Sequence, residues 1–430
     1  MRGGRVLSDT IVLTKHGPVV VKPDEPPFTI GKTKTPPGHA MRWIAHEYSN
    51  ELLTFIRLNK AKNFGDYKKA LATYFCPAQN FVYADVNKEI AITSNGRFPI
   101  KYRGQGKFIL DGSNPLHDWY GWVPPIHNPG MRNPARGYVS SANQFPADTV
   151  TYPYYLHWEF ASFDRAARIN EVLDKMEKAT PDDFFKLQND NLNMTARTAL
   201  PTMLNYVRKT NREKYAKAYE DLKNWNYMHD IDKTAPTIFK LWWSILVREI
   251  WTDELGEKDM RFPPKDVTVS MVEDTDSTNT RWFDNIKTET KENAAEIINR
   301  AFVKSIDSLQ KLYGEEISKK WAWGVTKKTS IKHLADIGPF SVSGLITAGD
   351  ADIVNATGKR HGPSWKMVVA LGKNVQAYGV YPGGQSGNPG SYFYLTMVEK
   401  WRKGELYELF YMKKANEKSN KILSVLTITK

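Results

Sequence analysis

The chain has 430 residues, 41% of them hydrophobic and 12% aromatic, enough to bury the core of one large domain or of several ordinary ones. Its one cysteine, Cys76, excludes an internal disulfide framework and a thiolate-rich metal site, and reads as a small buried hydrophobe and not as a nucleophile. A formal charge of +13 would suit an anionic partner, but the lysines and arginines are spread evenly with no basic block, so the expectation is a solvated basic surface and no nucleic-acid groove.

In chain order, "MRGGRVLSDTIVLTKHGPVVV" breaks into a strand-like run at Ile11–Leu13 where a signal peptide would have its apolar core, so the start reads as the middle of a domain. "TIVLT" and "PVVVK" are β-branched runs around His16-Gly17-Pro18, as in a hairpin. A helix is expected over 64–75, with Phe64, Tyr67 and Leu71 on one face. The segment 80–100 reads as a second hairpin, "FVYA" and "EIAIT" joined by a turn at Asp85–Lys88, and 101–136 as long ordered loops anchored by Trp119 and Trp122.

The middle is helical. Phe163, Ala166, Ile169, Leu173 and Met176 fall at helical spacing over 163–179, and Thr180-Pro181-Asp182-Asp183 starts a second helix that runs to about Asn205. Further helices fit 213–223, 236–252 and 291–313. "TIFKLWWSILVREIW" (237–251) is shorter than the roughly 18 uninterrupted apolar residues of a membrane span and carries Lys240, Arg248 and Glu249, so no span is expected. The last hundred residues return to strands, "SWKMVVALG" and "VQAYGVYPGG", then a helix in "SYFYLTMVEKWRKG". Helices between two β-rich ends indicate an α+β architecture with a sheet assembled from both ends of the chain, divided as 1–160 (β-rich core), 161–330 (mainly helical) and 331–430 (strands and helix returning to the core).

Metal and nucleotide motifs fail on composition and spacing. His157-Trp158-Glu159 has the H-x-E spacing of zinc deaminases but lacks their cysteine pair. "DTDSTNTRWFDN" (274–285) begins like a calcium loop, yet Asn279 and Asn285 stand where the turn glycine and the bidentate glutamate belong, so it reads as an acidic surface loop. Gly104-Gln105-Gly106 lacks the third glycine of a dinucleotide site, and "PGGQSGNPGS" (382–391) reads as a tight turn because Ser386 is not flanked by glycine at both −2 and +2. In "GYVSSANQFP" (137–146), Ser140, Ser141, Asn143 and Gln144 are on local grounds ordinary turn residues.

Eight segments taken in order change that reading. They are "TKHGPVV", "NFVYADVNKEIA", "GYVSSANQFP", "YPYYLHWEFASFDRAARI", "LQNDNLNMTARTALPTML", "WFDNIKTETKENAAEII", "GPSWKMVVALG" and "PGGQSGNPGSYFY". Together, over about residues 5 to 410, they resemble the β-chain of the penicillin acylase family of N-terminal nucleophile hydrolases. The resemblance implies a four-layer αββα core, here incomplete at its N-terminus and carrying a large helical insertion. It implies hydrolysis of a linear amide, as in penicillins, cephalosporins or acyl-homoserine lactones, by a self-processed zymogen. There the new N-terminal serine attacks and its own α-amine, with a pKa near about 8, takes the proton.

By the same resemblance Asn143 is the oxyanion asparagine, Arg165 orients the serine and its amine, and Gln79 lines the acyl pocket, where a polar side chain argues against a phenylacetyl group. Arg168, one turn on, reads as a structural ion-pair residue. Lys88 stands where the family has glycine, which is tolerable if Asn87 takes the left-handed turn position. No cofactor is implied. Some members hold a structural calcium, but Tyr154-Tyr155-Leu156 occupies the place of its carboxylate, so no metal ligand carries over.

The family's nucleophile, backbone oxyanion donor and α-chain lie upstream of the "HG" strand, just before which Met1 stands. The expected partners are therefore a small amide substrate and a missing N-terminal part comprising the α-chain and the start of the β-chain, with residues 1–430 inactive alone. A catalytically inactive remnant or binding module of the same fold is the alternative, and a basic binder of acidic polymers a more distant one.

Overall fold

The structure is a computed structural model that describes residues 4, 6, 8–23, 25–30, 33–256, 260–275, 278–414 and 416–429. They form two compact units, Met1–Ala161 and Ser162–Lys430, and mix helix with sheet.

The first unit opens with two short antiparallel pairs, β1 (Leu13–Thr14) with β2 (Gly17–Pro18) and β3 (Phe28–Ile30) with β4 (Thr33–Thr35). The β-branched run after Pro18 is shorter as a strand than its composition suggests, continuing only as a bridge from Val19 to Ala40. Helix α1 (Glu51–Lys60), capped by Asn50, was not legible in the sequence: Leu52, Phe55 and Ile56 are exposed and only Thr54 is buried, so its apolar residues mark no core. Helix α2 (Phe64–Leu71) lays Tyr67, Ala70 and Leu71 over the sheet that follows.

That sheet is an antiparallel meander of β5 (Gln79–Ala84), β6 (Ile90–Asn95) and β7 (Gly130–Arg132), in register Gln79 to Asn95 and Thr93 to Gly130. Tyr67 Oη donates to Phe81 O at 2.9 Å, and the Asn95 amide donates to Leu71 O at 2.9 Å, so helix and sheet are tied by polar as well as apolar groups. In the β5–β6 turn Lys88 itself takes the left-handed position (φ 66°), and not Asn87. The reason is Asp85, whose carboxylate accepts from the Asn87 and Glu89 N–H groups and holds Asn87 in the first half of the turn. In the long loops that follow, Trp119 and Trp122 meet edge to face, with the Arg97 guanidinium 4.1 Å from the Trp122 ring centroid.

The second unit begins with α3 (Phe163–Leu173), which stops six residues short of the expected end. The single helix expected over 180–205 is two, α4 (Pro181–Gln188) and α5 (Met194–Asn205). The break follows from "NDNLN": Asn189 donates to Phe185 O and Gly404 O, Asp190 accepts from Leu192 N–H, and Asn193 accepts from Ala196 N–H as the cap of α5. Short Asn and Asp side chains that bond the backbone favour caps over helix interiors.

Then come α6 (Lys209–Lys214), α7 (Ala216–Lys223), α8 (Ala235–Trp251), α9 (Lys265–Glu273) and α10 (Ala294–Tyr313). Helices α8 and α10 form the centre of the core. Trp242 and Phe302 are both fully buried, their rings 5.0 Å apart, and Trp242 Nε1 donates to Ile298 O. Phe283 is also buried, and Trp282 packs 5.2 Å from Trp251. The end of the segment read as an acidic surface loop is therefore core, while Asp276 and Ser277 lie outside the described residues.

Helix α11 (Trp323–Lys327) leads into the pair β8 (Thr329–Ile331) and β9 (Val342–Leu345). Strands β10 (Lys366–Ala370), β11 (Gln376–Val380) and β12 (Tyr407–Leu409) form an antiparallel sheet, with α12 (Val398–Lys403) between the last two, ended by Gly404 at φ 75°. The C-terminal helix is thus only the second half of the expected segment. Every described ladder pairs strands of one unit, so the anticipated single sheet drawn from both chain ends is not among them.

Candidate functional site

Two of the three side chains given a role from the sequence, Gln79 and Asn143, lie in the first unit. Gln79 is the first residue of β5, exposed and opposite Asn95. Beside it Asn80 pairs across the ladder with Ser94, whose hydroxyl donates to Asn80 Oδ1. The other end of that carboxamide, Nδ2, donates to Ser141 Oγ at 2.7 Å, so one side chain joins the end of the sheet to the loop 137–146.

Within the loop, Ala142 is buried and its N–H donates to Gln144 Oε1 at 2.6 Å. Asn143 is exposed and has φ 65°, in the left-handed region, which asparagine tolerates better than most residues. Its carbonyl oxygen accepts from Ala161 N–H at 2.9 Å. The loop backbone is thereby fixed on both sides of Asn143. Chemically, an exposed carboxamide on a fixed backbone is a hydrogen-bond donor whose position needs little rearrangement when charge develops beside it.

The second unit holds Arg165, half-buried in the first turn of α3. The residue before it, Asp164, is 2% exposed and anchors that turn. Its Oδ1 accepts from Thr195 Oγ1 at 2.6 Å, and its Oδ2 accepts from Ser162 Oγ at 2.6 Å and pairs with Lys265 Nζ at 2.7 Å. Lys265 reaches Asp352 as well, at 3.1 Å. Burial pushes the Asp164 carboxyl up, but the Lys265 charge and the donors outweigh it and hold the group below the usual carboxylate range. Asp266 is the reverse case: burial, with the charges of Asp164 and Asp352, pushes its carboxyl up against the pull of Lys265.

Arg168 is an ion-pair residue, as its place one turn along suggested. Its guanidinium grips Asp190 at 2.6 and 3.0 Å and Glu171 at 3.3 Å. Asn143 and Gln79 belong to one unit and Arg165 to the other. Sequence reasoning passed over Asn80 and Asp164, although both adjoin residues it named and Ser162-Phe163-Asp164 has the look of a helix start.

The remaining candidates resolve structurally. Cys76 is half-buried, and burial together with the Glu51 charge pushes its thiol up, which is unfavourable for a nucleophile. His157 Nδ1 accepts from the Trp158 and Glu159 N–H groups. A Cβ on Gly384 would lie 2.0 Å from Phe393 O, so "PGGQSG" is a close backbone approach. Among the described residues no group of three or more His, Cys, Asp or Glu side chains is placed to hold a metal ion, and no helix is long and apolar enough to cross a membrane.

Comparison with known proteins places the chain in a family. The family model described as penicillin amidase matches residues 1–418. An acyl-homoserine lactone acylase, QuiP, of Pseudomonas syringae pv. syringae (strain B728a) is 22% identical over 448 aligned positions, covering 94% of this chain and 52% of its own. The chain therefore spans about half the length of such relatives. Penicillin G acylase of Escherichia coli is 24% identical over 205 positions, 47% of this chain and 23% of that protein. Among solved structures, thermostable penicillin G acylase from Alcaligenes faecalis superposes with a TM-score of 0.65 at 17% identity, over 100% of this chain and 81% of that one, a likeness of fold.

Proposed function

The chain belongs to the penicillin amidase family, and from that premise we propose that the full-length protein is an amidohydrolase of the N-terminal nucleophile type. In this reading the hydroxyl of a serine at a processed N-terminus, supplied by sequence outside these 430 residues, adds to the substrate's amide carbonyl. The serine's own α-amine accepts the hydroxyl proton and passes it to the departing amine as the C–N bond breaks. Water then hydrolyses the acyl ester, releasing the acid and restoring the hydroxyl.

Asn143 donates its side-chain N–H to the oxygen that becomes negative, Arg165 orients the serine and its amine, and Gln79 borders the acyl group. A polar residue in that last place argues against a phenylacetyl group. The observation that carries the reading is the exposed Asn143 at φ 65° in a loop pinned through Ala142 and its own carbonyl, since a preorganised donor is what a developing oxyanion requires.

The test is turnover of N-dodecanoyl-homoserine lactone and of penicillin G by the full-length enzyme and its Asn143→Ala variant. A loss of about 10²–10³ in kcat is expected, and near-normal turnover removes Asn143 from the oxyanion site. Residues 1–430 alone are expected to hydrolyse neither substrate. Serine-directed hydrolysis by this chain alone would refute the division of the site.

A further inference from the structure

Asn80 has no place in the reading above, yet it makes two side-chain hydrogen bonds from an exposed strand end. Its oxygen accepts from Ser94 Oγ, which lies directly across the ladder, and its NH₂ donates to Ser141 Oγ at 2.7 Å. A carboxamide has chemically distinct ends, so a hydroxyl donor at one and an acceptor at the other set its plane and its direction. Ser94 is itself fixed, 9% exposed, with its N–H donating to Pro129 O at 2.8 Å. Rigidity therefore runs from the central strand β6 through Asn80 to a residue two positions before Asn143. On the far side, the Asn143 carbonyl is held by Ala161 N–H.

We infer that Asn80 is a positioning residue for the hydrolytic reaction: it clasps Ser141 to the sheet and so sets where the Asn143 amide stands. The inference rests on the oxyanion role of Asn143. A merely structural role fits poorly, because Asn80 is exposed and Ser141 is only half-buried, so water can take the place of the carboxamide at Ser141 if it is cut back. What removal frees is the approach to a left-handed residue, so the Asn143 amide shifts by a fraction of an ångström. A misplacement of 1 Å is worth about a hundredfold in rate, and the smaller shift expected here about tenfold.

The experiment is a double-mutant cycle on kcat in the full-length enzyme, with N-dodecanoyl-homoserine lactone as probe, using Asn80→Ala, Asn143→Ala and the pair, and Ser141→Ala as an independent way to open the clasp. Asn80→Ala and Ser141→Ala are each expected to lower kcat about tenfold with KM within about twofold and an unchanged melting temperature. In the Asn143→Ala background, Asn80→Ala is expected to change kcat by less than about twofold, because the group it positions is gone. An equal loss in both backgrounds, or no loss in either, overturns the positioning role while leaving Asn143 in place. Normal turnover by Asn143→Ala alone instead overturns the oxyanion reading itself.

Discussion

Asp164 and Lys265 offer a test in which one substitution removes the titrating carboxylate of a buried ion pair and the other strands that carboxylate without its ammonium partner. In the wild-type chain Asp164 is buried with Lys265, Ser162 and Thr195 around it, and its carboxyl lies below the usual range. A carboxylate depressed on folding adds stability above its unfolded pKa of about 3.9, and that stability is lost as pH falls through the folded value. Removing one member of a buried pair costs about 3–5 kcal/mol. The carboxamide introduced by Asp164→Asn keeps an acceptor for one hydroxyl, so the substitution should cost near 3 kcal/mol at neutral pH, the lower end of about 3–5.

For a unit of the size of Ser162–Lys430 that corresponds to a fall in melting temperature of roughly 6–12 °C. Lys265→Met takes from buried Asp164 the ammonium it pairs with and leaves the charges of Asp266 and Asp352 in the cluster, so its carboxyl should rise above the unfolded value. That variant should therefore gain stability as pH falls from about 7 to 5, where the wild type gains none from this site. Calorimetric or circular-dichroism melts across that range decide the matter. A shift below about 2 °C for Asp164→Asn, or a pH profile for Lys265→Met parallel to the wild type, would refute the account of the cluster.

Two further substitutions probe the frame that carries the site. Lys88 stands in the left-handed region at φ 66°, so Lys88→Gly should stabilise the first unit by roughly 0.5–1 kcal/mol in urea titrations. Phe302, fully buried against Trp242 and 5.9 Å from Tyr215, should cost about 3–5 kcal/mol when cut to alanine, read as a lower denaturation midpoint with unchanged slope.

What the sequence disclosed was whatever depends on strong local signals. The β5–β6 hairpin, α8 and α10 follow from their apolar patterning, and the structure adds the Asn293–Glu296 capping box that fixes where α10 starts. The helix break at Asn189–Asn193 stayed hidden because it depends on Gly404, over two hundred residues away, as much as on the local asparagines. Helix α1 was missed because its apolar side chains are exposed. At the site, order of segments and not any local rule led to Asn143, Arg165 and Gln79. Asn80 could not be read at all, since its partner Ser141 is distant in sequence and only the fold brings the two together.

The backbone at Asn143 also dictates how its chemistry should be dissected. Alanine there removes the amide and at the same time forces a Cβ-bearing residue with little taste for positive φ into the bend, so part of any lost activity would reflect a twisted chain. Glycine erases the same amide while accepting that bend freely. The difference in turnover between the glycine and alanine enzymes then measures chain distortion alone, and what glycine still lacks is the share owed to the vanished N–H.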